Sequence, residues 1–231
     1  MKPITVQKDE LFKQITTFNQ DKGICGFAAS FCYLYSISGL KFLDQIDAAH
    51  KEYAADKEYL ALVGKLKKEF KDVDHFSLFI AANTFRWTKN QDENIQELKE
   101  FALIFSKELD ADLKYNTKMG SLDGVATFFT KIGIPLTPGN IKNILQNYLP
   151  SESVVTDLIS GQSTDLVRFV KENPGLVAII GLSNDEKADV MIHHGLRHWV
   201  FKYAGRIYNH GDIQDAESIA ARYSLVCNAI K

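Results

Sequence analysis

Asn173-Pro174-Gly175-Leu176-Val177-Ala178-Ile179-Ile180-Gly181-Leu182 is the stretch at which the chain changes character. The first three residues read as a turn. The apolar run that follows is short, continuous and rich in β-branched residues, as expected for a strand buried on both faces. Downstream, Arg197-His198-Trp199-Val200-Phe201-Lys202-Tyr203 reads as a second strand, Ala204-Gly205 as a two-residue turn, and Arg206-Ile207-Tyr208-Asn209 as the returning strand. Residues 214–223 carry a helical pattern, and Ser224–Ile230 reads as a terminal strand.

Upstream of the turn the pattern is helical. Leu11, Ile15 and Phe18 recur at helical spacing, and Asn19-Gln20-Asp21-Lys22-Gly23 stops them. An apolar helix is expected to begin near Cys25, followed by amphipathic segments over residues 43–70 and helices opened by Asp74 and Asp92. Gly120 opens a short helix, Pro138-Gly139 precedes another through Ile141, Ile144, Leu145 and Tyr148, and Ser163-Thr164-Asp165 caps one carrying Leu166, Phe169 and Val170. The expected architecture is α+β in a single domain over 1–231. A mainly helical body over about 1–172 packs on a small antiparallel sheet over about 174–231.

Composition narrows the function. Lys and Arg number 27 against 29 Asp and Glu, a net charge of −2, so no strong basic field points to nucleic acid. Hydrophobic residues make up 45% of the chain, which is enough for a sizeable core and argues against disorder. Three cysteines are too few for a disulfide framework. Residues 24–43 are the most apolar, but their serines, glycines and Lys41 favour a buried helix over a membrane span. With no apolar signal segment at the N-terminus, the expected compartment is the cytoplasm, or the exterior by a route that needs no signal peptide.

Cys25 follows Lys22-Gly23-Ile24 and opens the apolar helix. Unsatisfied N–H groups and the positive end of a helix dipole stabilise a thiolate, the nucleophilic form. Gly26 lets a backbone or substrate approach, and the Gln20 amide, five residues earlier, is placed to donate to an oxyanion. Cys32 and Cys227 read as core residues.

Four of the six histidines fall between 193 and 210, and His198 opens a strand. With a two-residue turn at Ala204-Gly205, His198, Val200, Asn209 and Gly211 share one face of the hairpin, and His210 and Asp212 point to the other. Asn209 is then the favoured partner to orient an imidazole base, with Asp212 the alternate should a bulge reverse the parity. His194-x-x-x-His198 has the spacing of a helical metal pair, but the intervening Gly195 and the β-rich continuation set it on a strand, so no metal and no cofactor are expected.

Gln…Gly-Ile-Cys-Gly-Phe-Ala at a helix start, followed late in the chain by a strand-borne His-Trp-Val and a strand ending in Asn or Asp, resembles the papain-like cysteine peptidase superfamily. The likeness is to divergent bacterial members, secreted effector proteases and glutamine deamidases among them. It spans about residues 20–40 and 174–212. The family's Cys-Gly-Ser-Cys-Trp segment is absent, Phe27 falls one place later than the family's tryptophan, and Gln20 stands one residue closer to the cysteine than usual. The resemblance implies a thiol hydrolase acting on an amide bond of a protein or peptide, with Cys25 as nucleophile, His198 as base, Asn209 (or Asp212) as orienting residue and Gln20 as oxyanion donor. Acyl transfer to an amine, as in a transglutaminase, uses the same triad. An inactive interaction module with the same fold is the other reading.

Overall fold

A computed structural model describes residues 24–70, 74–90, 136–159, 163–184, 196–209 and 212–231, with Glu93 and Gln96. The helix that Gly120 was expected to open lies outside the described residues, as does all but Glu93 and Gln96 of the one that Asp92 was expected to open.

The helical body is built around α1, Cys25–Ser38, whose first eleven residues are all buried. A helix apolar all round belongs at the centre of a core. It ends at Gly39, whose φ of 56° and ψ of −132° suit only glycine. The apolar stretch over 24–43 is therefore two helices meeting at a sharp corner. α2, Leu40–Tyr53, buries Phe42, Ile46 and Ala49 at helical spacing. α3, Lys57–Glu69, is capped by Asp56, whose side chain accepts from the Glu58 and Tyr59 amides. α4 spans Asp74–Lys89. α5, Pro138–Tyr148, starts with proline in its first turn and a reciprocal Thr137–Asn140 capping box. Aromatic rings fill the space between: Phe31 meets Phe42, Phe76 and Phe79 edge-on, with centroids 4.9–5.7 Å apart. Among the described residues, no helix is long and apolar enough to cross a membrane.

Among the described residues, seven strands form one antiparallel sheet: β1 (Asp157–Ile159), β2 (Thr164–Asp165), β3 (Ala178–Ser183), β4 (His198–Tyr203), β5 (Arg206–Asn209), β6 (Asp212–Gln214) and β7 (Leu225–Ile230). Their order is β1-β7-β3-β4-β5-β6, with β2 also on β7. The helix α6 (Leu166–Glu172) starts at Asp165, and α7 (Ala216–Ala220) at Asp215, each capped by that aspartate's side chain. The sheet therefore has helices on both faces. Ile179, Trp199, Phe201, Tyr208 and Ile230 belong to the core of the helical body. Ala178, Ile180, Leu182, Val200, Ile207, Val226 and Ala229 form a second core with α6 and α7. The alternation along β3 and β4 feeds two apolar environments, which is why their sequences show no polar face.

The α+β arrangement of helical body and antiparallel sheet agrees with the expectation, with three corrections. Strands β1 and β2 interrupt what reads as purely helical chain before residue 172. Residues 214–223 are not one helix: Gln214 ends a strand, and α7 covers only five residues. Asp212 does not point away from Asn209, because β5 and β6 pair with Asn209 opposite Asp212 and cross-strand partners share a face.

Candidate active site

Cys25 is the first residue of α1, and Ile24 before it supplies no side-chain cap. The first-turn N–H groups thus need another acceptor. The sulfur answers part of that need, taking hydrogen bonds from the Trp199 amide across on β4 and from the Gly26 amide. These bonds favour the thiolate, as expected of a helix start. Burial opposes them and wins: the side chain is 4% exposed, and desolvation pushes its pKa up to about 11. The resting group is a neutral thiol. At this depth the cost of burying a charge exceeds the gain from the helix start. Cys32 and Cys227 are buried free thiols too, and burial raises both.

Gly26 makes room for a different neighbour from the one expected. A Cβ there would lie 2.9 Å from Cβ and Cγ of Leu136, so the close approach is to that fully buried side chain. The Leu136 carbonyl accepts from the Trp199 indole at 2.5 Å. Gly181, opposite Trp199 on β3, also lacks a side chain where one would strike the indole and Leu196. Leu136 and Trp199 thereby lock the start of α1 against the start of β4, and the residue before Trp199 is His198.

The Ala204-Gly205 turn has positive φ at both residues, 48° and 73°, as a two-residue hairpin of right-handed twist requires. Tyr203 pairs with Arg206 and Phe201 with Tyr208, the register read from the sequence. His198, 4% exposed, meets Asn209 on the neighbouring strand: Nε2 donates to the Asn209 Oδ1 at 2.6 Å. An amide oxygen only accepts, so the proton sits on Nε2 and the Nδ1 carries the lone pair. Asn209 in turn donates to the Gln214 Oε1 at 3.4 Å. Asp212, the alternate, is exposed, and its carboxylate accepts from the Ile213 amide.

Sequence reasoning passed over two neighbours. Gln214 pairs with Ile207 and so lies diagonal to Asn209, a position that strand parity could have shown once β6 was recognised. Tyr223 stacks on the His198 ring, centroids 5.4 Å apart and planes 21° from parallel. Nothing in the local sequence marks it. Burial raises the Tyr223 phenol, the Arg222 charge lowers it, and a charge on Cys25 would raise it further.

Gln20, His193, His194 and His210 lie outside the described residues. Among the described residues, no three His, Cys, Asp or Glu side chains converge as a metal site would require. No protein-family model, no curated protein and no solved structure matches the chain.

Proposed function

We propose that the protein is a papain-like thiol hydrolase that cleaves an amide bond, with Cys25 as nucleophile, His198 as general base and Asn209 as the residue that orients it. The observation that carries this reading is the 2.6 Å bond from the His198 Nε2 to Asn209, on a histidine whose next residue donates its amide to the Cys25 sulfur. With Nε2 committed to Asn209, Nδ1 takes the thiol proton. The thiolate adds to the carbonyl carbon, and the oxyanion that forms is stabilised by the backbone N–H of Cys25 and, in the family pattern, by the amide of Gln20. The imidazolium returns its proton to the leaving nitrogen as the C–N bond breaks, which leaves a thioester. Water, deprotonated by the same imidazole, then releases the acid and the thiol. A protein glutamine or a peptide bond meets these requirements equally, and an amine in place of water makes the reaction a transglutamination.

One observation favours a second reading, an interaction module with an inactive site: the raised pKa of Cys25. A peptidyl vinyl sulfone separates the two, followed by peptide mapping of the adducts. The hydrolase reading expects one adduct, at Cys25, formed about a hundredfold or more slowly in His198→Ala, the range typical of losing a general base. Labelling of Cys25 no faster than Cys32 and Cys227, and indifferent to His198, would sink it.

A further inference from the structure

On the face of the sheet away from the helical body, the cations of α6 are paired. Arg168 meets Glu172 at 2.8 Å, and Lys171 meets Glu217 of α7 at 3.0 Å. Asp215 is committed as well, capping α7 through the Ser218 amide at 2.8 Å. Arg222, just beyond α7, is exposed and meets no carboxylate among the described residues. Its guanidinium carbon lies instead over the Tyr223 ring, 5.3 Å from the centroid. That ring is buried and stacked on His198, centroids 5.4 Å apart. The backbone beneath is fixed too, since the Arg222 and Tyr223 amides both donate to the Ile219 carbonyl at 2.9 Å.

A guanidinium is a planar fork of N–H donors whose geometry matches a carboxylate in bidentate pairing. Contact with an aromatic ring holds the group in place before any ligand arrives, which lowers the entropy lost on binding. Arg197, next to His198, adds positive charge at the same corner: burial raises the Tyr223 phenol, and the Arg222 and Arg197 charges both lower it. The two centroid distances, 5.4 Å and then 5.3 Å, put the guanidinium no more than about 11 Å from the imidazole, a span that about three residues of extended chain cover. We propose that Arg222 is a specificity-determining residue that selects an acidic peptide, pairing with a carboxylate carried about three residues from the amide that Cys25 attacks. The proposal deepens the hydrolase reading and rests on it for the place of the scissile bond, but the pairing itself needs no turnover.

The test uses the full chain and four vinyl sulfones built on one all-glutamine peptide that extends three residues to either side of the warhead. The first is capped at both ends. The second carries Glu at the third residue before the warhead, the third carries Glu at the third residue after it, and the fourth leaves the C-terminal carboxylate free. Wild type is expected to label Cys25 about fivefold faster with one charged probe than with the first, the upper end for an exposed ion pair. Which probe it is distinguishes a side-chain carboxylate from a chain end. The advantage is expected to disappear at about 1 M salt, where screening acts over about 3 Å. It is expected to vanish in Arg222→Gln, to survive in part in Arg222→Lys, and to reverse in Arg222→Glu, a reversal that a merely structural role would not produce. Equal rates for all four probes in wild type would overturn the proposal, and so would an advantage that persists in Arg222→Gln and Arg222→Glu. If no probe labels Cys25 selectively, the hydrolase reading falls. Titration calorimetry with the unreactive ethyl sulfone forms of the same peptides then decides the rest: a preference for the carboxylate that depends on Arg222 upholds the pairing without the reaction, and no preference sinks both.

Discussion

Two opposing effects meet on the Cys25 sulfur, and their balance decides what sort of nucleophile it could be. Backbone amides stabilise the thiolate, while burial destabilises it more. Such a thiol reacts only when a base removes its proton at the moment of attack, so the orientation of His198 should matter more here than at an exposed, pre-ionised cysteine. Asn209→Ala removes the acceptor that holds the Nε2 proton. It is expected to slow vinyl sulfone labelling of Cys25 by about ten- to a hundredfold, because a ring free to change tautomer presents the wrong nitrogen. Asp212→Asn, at an exposed side chain bonded only to the adjacent amide, should stay within about twofold of wild type, a change small enough to need no loss of transition-state contact. Equal defects in the two variants would mean that the ring is oriented by Asp212 in solution. The contact of His198 with Asn209 was legible in advance because hairpin parity depends on a turn length that Ala204-Gly205 declares, whereas the parity that turned Asp212 away failed because β6 folds back to pair with β5. Tyr223 was not legible, because its contact with His198 is made across the sheet by a residue 25 positions away and follows from no periodicity.

At the scale of elements, the site depends on how closely α1 approaches the segment before α5. Gly26 sits against Leu136, and Leu136 cannot withdraw, since its side chain is fully buried and its carbonyl is held by Trp199. Gly26→Ala is expected to cost about 1–3 kcal/mol, the usual penalty for overfilling a packed core, and to lower the thermal midpoint accordingly. A variant as stable as wild type would show that this junction is looser than its contacts imply. The same contrast explains which elements could be read from sequence. β3 and β4 announce themselves through apolar runs and a two-residue turn, and α5 through its Thr137-Pro138 start. β1, β2 and β6 are two or three residues long, with mostly exposed side chains, and owe their strand character to pairing partners far along the chain. Gly26 was legible as a place of close approach, but its occupant was a leucine 110 residues away rather than a substrate.

Over the whole molecule, the core that joins helical body and sheet contains all three cysteines, none of them paired. Burial raises each above the ordinary thiol value of 9.0, to about 11 for Cys25 and about 11 for Cys227. Between those values the folded chain keeps protons that the unfolded chain has lost. Stability must then fall as pH rises, with each such thiol contributing a slope of about 1.4 kcal/mol per pH unit between about pH 9 and pH 11 and none below that window. The buried tyrosines Tyr33, Tyr208 and Tyr223 are raised as well and act in the same direction, whereas Lys202, lowered by burial, acts against it. Comparison with a variant isolates one thiol from these. Cys25→Ser should match wild type in its pH dependence up to about pH 7.5, the region where an unfolded cysteine is still mostly protonated, and should lose stability less steeply above about pH 9, by about one thiol's slope. Urea unfolding at intervals from pH 7 to pH 10.5, with reductant present, measures both curves. Parallel curves throughout would mean that the Cys25 thiol ionises as readily in the folded protein as in the unfolded chain. In that case the backbone amides of Trp199 and Gly26 offset burial, and the Cys25 thiol keeps the ordinary value of 9.0.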